Sequence, residues 1–137
     1  MTTARDIMTG HTQYLSASDS VHDAAVKMAE LGVGSLPICG EDNRLKGMIT
    51  DRDVVVKVLA AGKDARAVHL GELVDYAPIT IGADEHVAYL LRTMAEHKVR
   101  RLPVIEDHQL VGIVALADVA RSLDDPEIGL VVAAISE

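Results

Sequence analysis

The feature that most constrains this chain is an internal duplication. Val21–Ile38 aligns with Val87–Val104, and seven of the eighteen paired positions are identical. The match resumes between Leu45–Val54 and Leu110–Val119, after a loop that is one residue shorter in the second copy. Surface loops tolerate insertions and deletions, so the change in length indicates a turn there. One supersecondary unit is therefore used twice, and we expect the copies to bury their apolar faces together.

Each copy predicts a helix followed by a β-hairpin. Apolar residues have the helical spacing i, i+3, i+4 and i+7 at Val21, Ala24, Ala25 and Met28 and at Val87, Leu90, Leu91 and Met94. Two short apolar runs follow, Leu36–Ile38 and Leu45–Thr50 in the first copy, and Leu102–Ile105 and Leu110–Ala115 in the second. Ser20 with Asp23 predicts a capping box for the first helix, and Asp84 or Glu85 is expected to begin the second.

An earlier strand and a later helix complete the predicted unit. The strands are expected at Gln13–Leu15 and Ile79–Ile81, and the helices near Asp51 and Leu116. The predicted fold class is α/β of the α+β type, with two β-α-β-β-α repeats packed about a pseudo-twofold axis.

The predicted boundaries are repeat 1 at residues 1–62, repeat 2 at 63–124 and a helical tail at 125–137. Gly62 is expected to stop the last helix of repeat 1. Asp124 and Pro126 predict a helix start in the tail. Ile128–Ile135 would then be apolar around most of its circumference, which requires burial, and a second subunit is one way to provide it.

Composition and charge disfavour several classes of function. With a net charge of −8 and no basic run, the 137-residue chain is a poor candidate for binding nucleic acid. It lacks the roughly 18 consecutive apolar residues of a membrane span and the apolar core of a signal peptide, so we expect a cytoplasmic protein. The single cysteine, Cys39, is expected to be a small core residue, with an intersubunit disulfide left open if it is exposed.

No arrangement of residues predicts an enzyme or a metal site. The histidines, His11, His22, His69, His86, His97 and His108, lack the close spacing of zinc ligands. Asp53 and Asp118 are equivalent in the two copies, so duplication explains them more simply than acid–base catalysis does. We therefore expect no catalytic residue, no metal and no required cofactor.

Several segments together resemble the cystathionine-β-synthase-type (CBS) domain, which occurs in tandem pairs. They are Asp6-Ile7-Met8 at the start, Val33–Ile38 and Val99–Val104 at the helix-to-strand step, and Leu45–Asp53 and Leu110–Asp118 at the end of each copy. The resemblance covers residues 4–122 and implies a regulatory Bateman module with two clefts between the repeats. It further implies adenosine-containing ligands such as AMP, ADP, ATP, NAD or S-adenosylmethionine, a disc-like homodimer, and control of a partner.

The first copy offers a ligand site where its last strand meets a helix. The Asp53 carboxylate can accept both hydrogens of a ribose diol, and Thr50 and Arg52 can contact sugar or phosphate. Leu36, Pro37, Ile38 and Ile49 could wall an apolar slot for adenine. Thr50 and Asp53 also fit a helix capping box, so both interpretations stay open here.

The second copy differs at the same positions. Ala115 replaces the threonine, Asp118 and Pro103 remain, and Arg100 and Arg101 are suited to phosphate oxygens. The alternative for both arginines is solvent exposure with pairing to acids such as Glu96. The leading hypothesis is a stand-alone regulatory pair that binds a nucleotide in signal transduction and controls an unknown protein effector. The alternative is an interaction or structural dimer with vestigial clefts.

Overall fold

A computed structural model describes residues 2–10, 12–74 and 78–122. The predicted tail at 125–137 lies outside these residues. From the N-terminus the helices and strands are α1 (Ala4–Ile7), β1 (Thr9–Gly10), β2 (Leu15–Ser16), α2 (Val21–Leu31), β3 (Ser35–Cys39), β4 (Leu45–Thr50), α3 (Asp51–Asp53), β5 (Ile81–Gly82), α4 (Val87–His97), β6 (Arg101–Glu106), β7 (Gln109–Ala115) and α5 (Leu116–Ala120). A π-helix, Val54–Leu59, continues α3, and a 3₁₀-helix spans Leu70–Leu73. The predicted β-α-β-β-α order is confirmed in both copies.

The strands form two sheets of related topology. One has the order β2-β3-β4 and the other β1-β7-β6-β5. In each, the leading strand lies parallel to the first hairpin strand, as in β2 with β3 and β5 with β6. Parallel neighbours need a crossover connection, which α2 and α4 provide. The hairpins β3–β4 and β6–β7 are antiparallel, as their short polar turns predict.

The chain divides into two compact units that do not follow the order of the sequence. The first unit contains the described residues between 13 and 78, and the second contains those of 1–12 together with those from 79 onward. The N-terminal residues therefore pack with the elements of the second copy. The compact units divide the chain at other positions, so they do not test the predicted repeat boundaries at residues 62 and 124. These boundaries remain predictions from the sequence.

An opening turn docks on each unit through the same three backbone hydrogen bonds. In the first unit, Val21 N donates to Val68 O, Leu70 N to Asp19 O, and Gly71 N to Ala17 O, all at 2.9 Å. In the second unit the bonds are Val87 N to Thr2 O and Ala4 N to Glu85 O, both 3.0 Å, and Arg5 N to Ala83 O at 2.9 Å. All six residues of one set are offset by 66 positions from those of the other. The opening turns, residues 2–8 and 68–74, are thus structurally equivalent.

Each unit has its own aliphatic core. In the first unit it contains Leu15, Val21, Ala24, Met28, Leu36, Ile38, Ile49, Val58 and Leu70. In the second unit it contains Ala4, Ile81, Ala83, Leu90, Leu91, Met94, Leu102, Val104, Val114 and Val119. Both cores include a residue of the docked opening turn, Leu70 in one and Ala4 in the other, each fully buried. The opening turns are therefore part of the packed structure.

The helix starts confirm one prediction and correct another. Ser20 caps α2, with its hydroxyl accepting from Asp23 N and the Asp23 carboxylate accepting from Ser20 N. These hydrogen bonds lower the pKa of Asp23, the backbone N–H of Ser20 contributing most. The expectation that Asp84 or Glu85 begins α4 is wrong, because His86 is the N-cap and its Nδ1 accepts from Ala88 N at 3.0 Å.

The hairpin glycines lie against the opening turns. A Cβ on Gly112 would stand 2.6 Å from Met8 Sδ and 2.8 Å from Thr9 O, which is backbone. A Cβ on the equivalent Gly47 would meet the side chain of Val74 at 3.1 Å. Residue 112 therefore has no room for a side chain while β1 keeps its pairing with β7.

We predict that Gly112→Ala displaces β1 and lowers the free energy of unfolding by about 1–3 kcal/mol, the usual cost of overpacking. The matched control is Gly10→Ala on β1 itself, where a Cβ would meet nothing within 4 Å. Gly10→Ala should change stability by less than about 0.5 kcal/mol. Urea unfolding of both variants measures the difference, and equal midpoints would contradict the assignment of this contact.

Candidate functional site

The antiparallel hairpin of the first unit brings the predicted site residues to one end of its sheet. Ser35, at the start of β3, pairs with Thr50 at the end of β4. Just beyond this pair, Asp51 N donates to Gly34 O at 2.9 Å. The helix start that carries Arg52 and Asp53 follows directly, so the helix-to-strand step and the strand-to-helix step meet. We call this the first junction.

The capping box predicted at Thr50 and Asp53 is confirmed. Thr50 Oγ1 accepts from Asp53 N at 3.1 Å, and Asp53 Oδ2 accepts from Thr50 N at 3.0 Å. Asp53 Oδ1 lies 3.6 Å from Lys57 Nζ, an i,i+4 ion pair. The Asp53 side chain keeps 26% of its surface exposed. A carboxylate has about four acceptor positions, so the capping bond leaves capacity for a ligand.

The second unit repeats this geometry with different chemistry. Arg101 pairs with Ala115, and Leu116 N donates to Arg100 O at 2.8 Å. Asp118 Oδ2 accepts from Ala115 N at 2.8 Å, and Asp118 Oδ1 pairs with the guanidinium of Arg121. Ala115 has no hydroxyl, so only the carboxylate half of the capping box exists. We call this the second junction.

The two junctions differ in charge. The first has Asp51 and Asp53 with Arg52, and the small Gly34 and Ser35 stand opposite them. The second has Arg100 and Arg101 in place of Gly34 and Ser35. Both arginines are exposed, and their side chains have no hydrogen bond or ion pair among the described residues, so the pairing with Glu96 considered above is absent there. The second junction is therefore the more favourable for an anion.

The predicted apolar walls are more deeply buried than a ligand slot requires. Leu36 and Ile38 are 4% and 0% exposed and lie in the core of the first unit. Pro37 is also buried but alternates to the opposite face of the sheet, where its β4 partner is Met48. Pro103 is likewise buried and pairs with Ile113. Of these four residues, Pro37 and Pro103 have the orientation that a ligand wall outside the unit's core needs.

Three contacts at the junctions were not predicted from the sequence. Lys57 and Arg121 each neutralise a junction carboxylate, and their i,i+4 and i,i+3 spacing was the available signal. A Cβ on Gly34 would come within 3.1 Å of the Asp51 carboxylate, so this acid lies directly over the helix-to-strand step. The predicted ligand residues thus fall into two sets, one in each unit, and their role in binding stays a prediction.

Other features of the described residues are separate from the junctions. A depression of about 340 Å³ in the first unit is lined by Ser16, Ala17, Ser18, Glu41 and His69. Cys39 is 2% exposed, and burial raises the pKa of its thiol. The condition for an intersubunit disulfide, an exposed Cys39, is therefore not met. In the described parts of the chain, no three His, Cys, Asp or Glu residues form a metal-binding group, and no helix is long and apolar enough to cross a membrane.

Comparison with known proteins agrees with the duplicated fold. The family model described as CBS domain matches this chain twice, at residues 4–60 and 70–125. The chain belongs to the CBS domain family. Both matches begin in an opening turn and extend through the helix that follows a junction. The family match therefore follows the repeats of the sequence and not the compact units.

Individual relatives share most of the CBS pair. Hypoxic response protein 1 of Mycobacterium tuberculosis is 47% identical over 135 residues, covering 98% of this chain and 94% of that protein. The crystal structure of Hypoxic Response Protein I with two coordinated zinc ions superposes with a TM-score of 0.83 at 48% identity, covering 90% of this chain and all of that one. The crystal structure of CBSX2 in complex with AMP has a TM-score of 0.76 at 27% identity, covering 89% and 96%.

We predict that the junction hydroxyl can be moved between the copies. Thr50→Ala should lower the free energy of unfolding by about 1 kcal/mol, because Asp53 N loses its acceptor. Ala115→Thr should raise it by a similar amount, because residue 115 already has the extended N-cap conformation (φ −102°, ψ 157°) and Asp118 at the third helical position.

Chemical denaturation of both variants measures the effect. Thr50→Ser, which keeps the hydroxyl, is the control and should remain near the parent protein. Loss of stability in Ala115→Thr would contradict the equivalence of the two junctions.

Proposed function

We propose that this CBS pair is a regulatory module that binds an adenosine-containing nucleotide and controls a partner protein, without catalysing a reaction. The observation that carries the proposal is the presence of two equivalent strand-to-helix junctions, each with a partly exposed aspartate. The AMP complex of the related CBSX2 supports the choice of ligand class. Cytoplasmic residence accompanies this proposal.

At the first junction, Asp53 accepts the hydroxyl hydrogens of the ribose while keeping its bond from Thr50 N. A charge-assisted hydrogen bond is roughly twice as strong as a neutral one, which gives the carboxylate an advantage over an amide. Arg52 is exposed at the same helix start, where it reaches toward sugar or phosphate. Pro37 supplies apolar surface for the base at this junction, as Pro103 does at the second, and Leu36 and Ile38 act by holding β3 in place.

At the second junction, Arg100 and Arg101 bind phosphate. A guanidinium presents two parallel N–H groups that match phosphate oxygens, and these two arginines have no competing acid among the described residues. Asp118 has only 14% of its side chain exposed and is paired with Arg121, so its access to a ligand is smaller than that of Asp53. The junctions are thus unequal, which favours at most one strong nucleotide site per chain.

The test is isothermal titration of the protein with AMP, ADP, ATP, NAD and S-adenosylmethionine. We expect saturable binding of at least one ligand at one of the two junctions. Either Asp53→Asn at the first junction or Arg100→Gln with Arg101→Gln at the second should weaken it about tenfold or more, and this identifies the occupied junction. Asparagine can still accept the Thr50 N–H, so Asp53→Asn removes the charge while leaving the cap.

Asp23→Asn is the matched control, because Asp23 has the same capping geometry at Ser20 and lies outside both junctions. Its affinity for the nucleotide should equal that of the parent protein. Absence of binding by every ligand at millimolar concentration would contradict the proposal.

A second candidate is an interaction or structural dimer in which the junctions bind no nucleotide. It is favoured by the existing partners of Asp53 and Asp118, which already contact both oxygens of each carboxylate, and by the missing hydroxyl at Ala115. The zinc ions in the structure of Hypoxic Response Protein I raise metal as another ligand class. Elemental analysis of the purified protein, together with the titrations, shows whether the CBS pair contains bound metal or binds neither metal nor nucleotide.

Under either candidate we propose a homodimer formed through the π-helix. Val55, Val56 and Leu59 expose 53%, 50% and 72% of their surfaces. Isolated exposed apolar residues are ordinary, but three within five positions of one helix form a patch suited to a partner surface. A second copy presents the same patch, so a twofold axis pairs it with itself.

We expect Val56→Asp with Leu59→Asp to convert the dimer to a monomer, because burying four charges in the contact is unfavourable. Tyr89→Asp, at an exposed aromatic residue of the second unit, is the control and should leave the mass unchanged. Light scattering after size exclusion measures the mass. A dimer that persists in the double variant places the contact elsewhere.

A further inference from the structure

Each unit joins two helix starts through one isolated β-bridge. The bridges are Ser20 with His69 in the first unit and Thr3 with His86 in the second. Each pairs a hydroxyl residue with a histidine, and all four are the N-caps of their helices. The hydroxyl residue and the histidine exchange positions between the two units. The histidine caps the long helix α4 in the second unit, whereas it caps the short 3₁₀-helix of the opening turn in the first.

His86 can cap α4 only while its imidazole is neutral. Its Nδ1 accepts from Ala88 N at 3.0 Å, which requires a lone pair on that nitrogen and the proton on Nε2. Protonation converts Nδ1 into a donor and places a positive charge at the positive end of the helix dipole. The residues beside it hold the opening turn, through Val87 N to Thr2 O and Ala4 N to Glu85 O. Loss of this cap therefore weakens both the start of α4 and the docking of residues 2–8.

His69 has the opposite chemistry. Its Nδ1 lies 3.7 Å from Glu72 Oε2, and its backbone N–H donates to the same oxygen at 2.6 Å. Among the described residues, no backbone N–H donates to the His69 imidazole. Protonation therefore removes no cap and adds an attraction to Glu72. The first unit keeps its long helix α2 capped by Ser20, which does not titrate in this range.

Charged groups on the elements around each histidine also affect how the unit responds to protonation of that histidine. For His86 they are Arg5 and Asp6 on α1 and Asp84 and Glu85 in the preceding loop, with Arg5 already paired to Asp84 and Glu106. For His69 they are Asp19, His22 and Asp23 around the start of α2, Glu41 in the hairpin turn, Asp64 and Arg66 in the preceding turn, and Glu72. Acids outnumber bases in both sets, so the difference between the units comes from the hydrogen bond that His86 accepts.

We propose that mild acid acts on the two units in opposite directions, through His86 and His69. The cap at His86 exists while its imidazole is neutral and is lost when the ring is protonated, which releases the opening turn of the second unit. The attraction between His69 and Glu72 exists only when the His69 ring is protonated, which retains the opening turn of the first unit. The CBS pair thus responds to pH by releasing the segment of residues 2–8.

Amide hydrogen exchange at pH 5.5 and 7.5, corrected for intrinsic rates, tests this on the full chain. We expect protection of Val87, Ala88 and Ala4 to fall about fivefold at pH 5.5, the loss typical of a helix cap. Protection of Leu70 and Gly71 should rise. Unchanged protection at the start of α4 between the two pH values would overturn the proposal.

Two variants each introduce the residue that stands at the equivalent position of the other repeat. His86→Ser copies Ser20, keeps a side-chain acceptor and should abolish the pH response at α4 while the helix stays capped. His69→Thr copies Thr3, forms a capping box with Glu72 and should remove any gain at pH 5.5 in the first unit. His108→Asn, at an exposed position in the β6–β7 turn, is the control and should respond like the parent protein. A pH response at α4 that persists in His86→Ser would show that another group is responsible.

Discussion

The docking of an opening turn on each unit is the interaction on which the rest of this structure depends. Three backbone hydrogen bonds and one fully buried side chain hold each turn, Leu70 in the first unit and Ala4 in the second. Buried backbone groups must be paired. The turn accepts from the first N–H of α2 or α4 and donates two of its own N–H groups to carbonyls of the loop before that helix. A unit without its turn therefore lacks part of both its core and its hydrogen bonding.

The same docking explains why the hairpin glycines are restricted and why the junctions are alike. Gly47 and Gly112 are covered by the turns, and each lies opposite the core residue of the neighbouring strand, Ile38 or Val104. This register in turn sets Thr50 opposite Ser35 and Ala115 opposite Arg101. The geometry of the junctions therefore follows from packing, and their chemistry is free to differ. One carries an acidic, hydroxyl-capped helix start, and the other carries two arginines whose side chains have no partner among the residues that the structure describes.

Much of the fold could be predicted from the sequence because each helix and strand pattern occurs twice, once in each copy. The spacing of Val21 and Met28 identified α2, and the polar turn after Cys39 identified the hairpin. The leading strands were placed two residues early, because Gln13 and Ile79 precede strands of only two residues whose pairing depends on β3 and β6. The opening turn at 68–74 was missed, because Leu70 and Gly71 share no identity with Ala4 and Arg5. His86 was overlooked as a cap because acids and hydroxyls are the usual residues there.

The junction aspartates could be recognised from sequence, but their role could not be decided, since capping and binding demand the same residue at the same place. Asp53 accepts one backbone hydrogen bond through Oδ2 and faces Lys57 through Oδ1. A ribose bound there would share the carboxylate with Lys57, so ligand binding and the order of the following π-helix would be linked. That π-helix carries Val55, Val56 and Leu59, the apolar patch proposed for the second copy. A single carboxylate could in this way couple occupancy of the first junction to the contact with a partner.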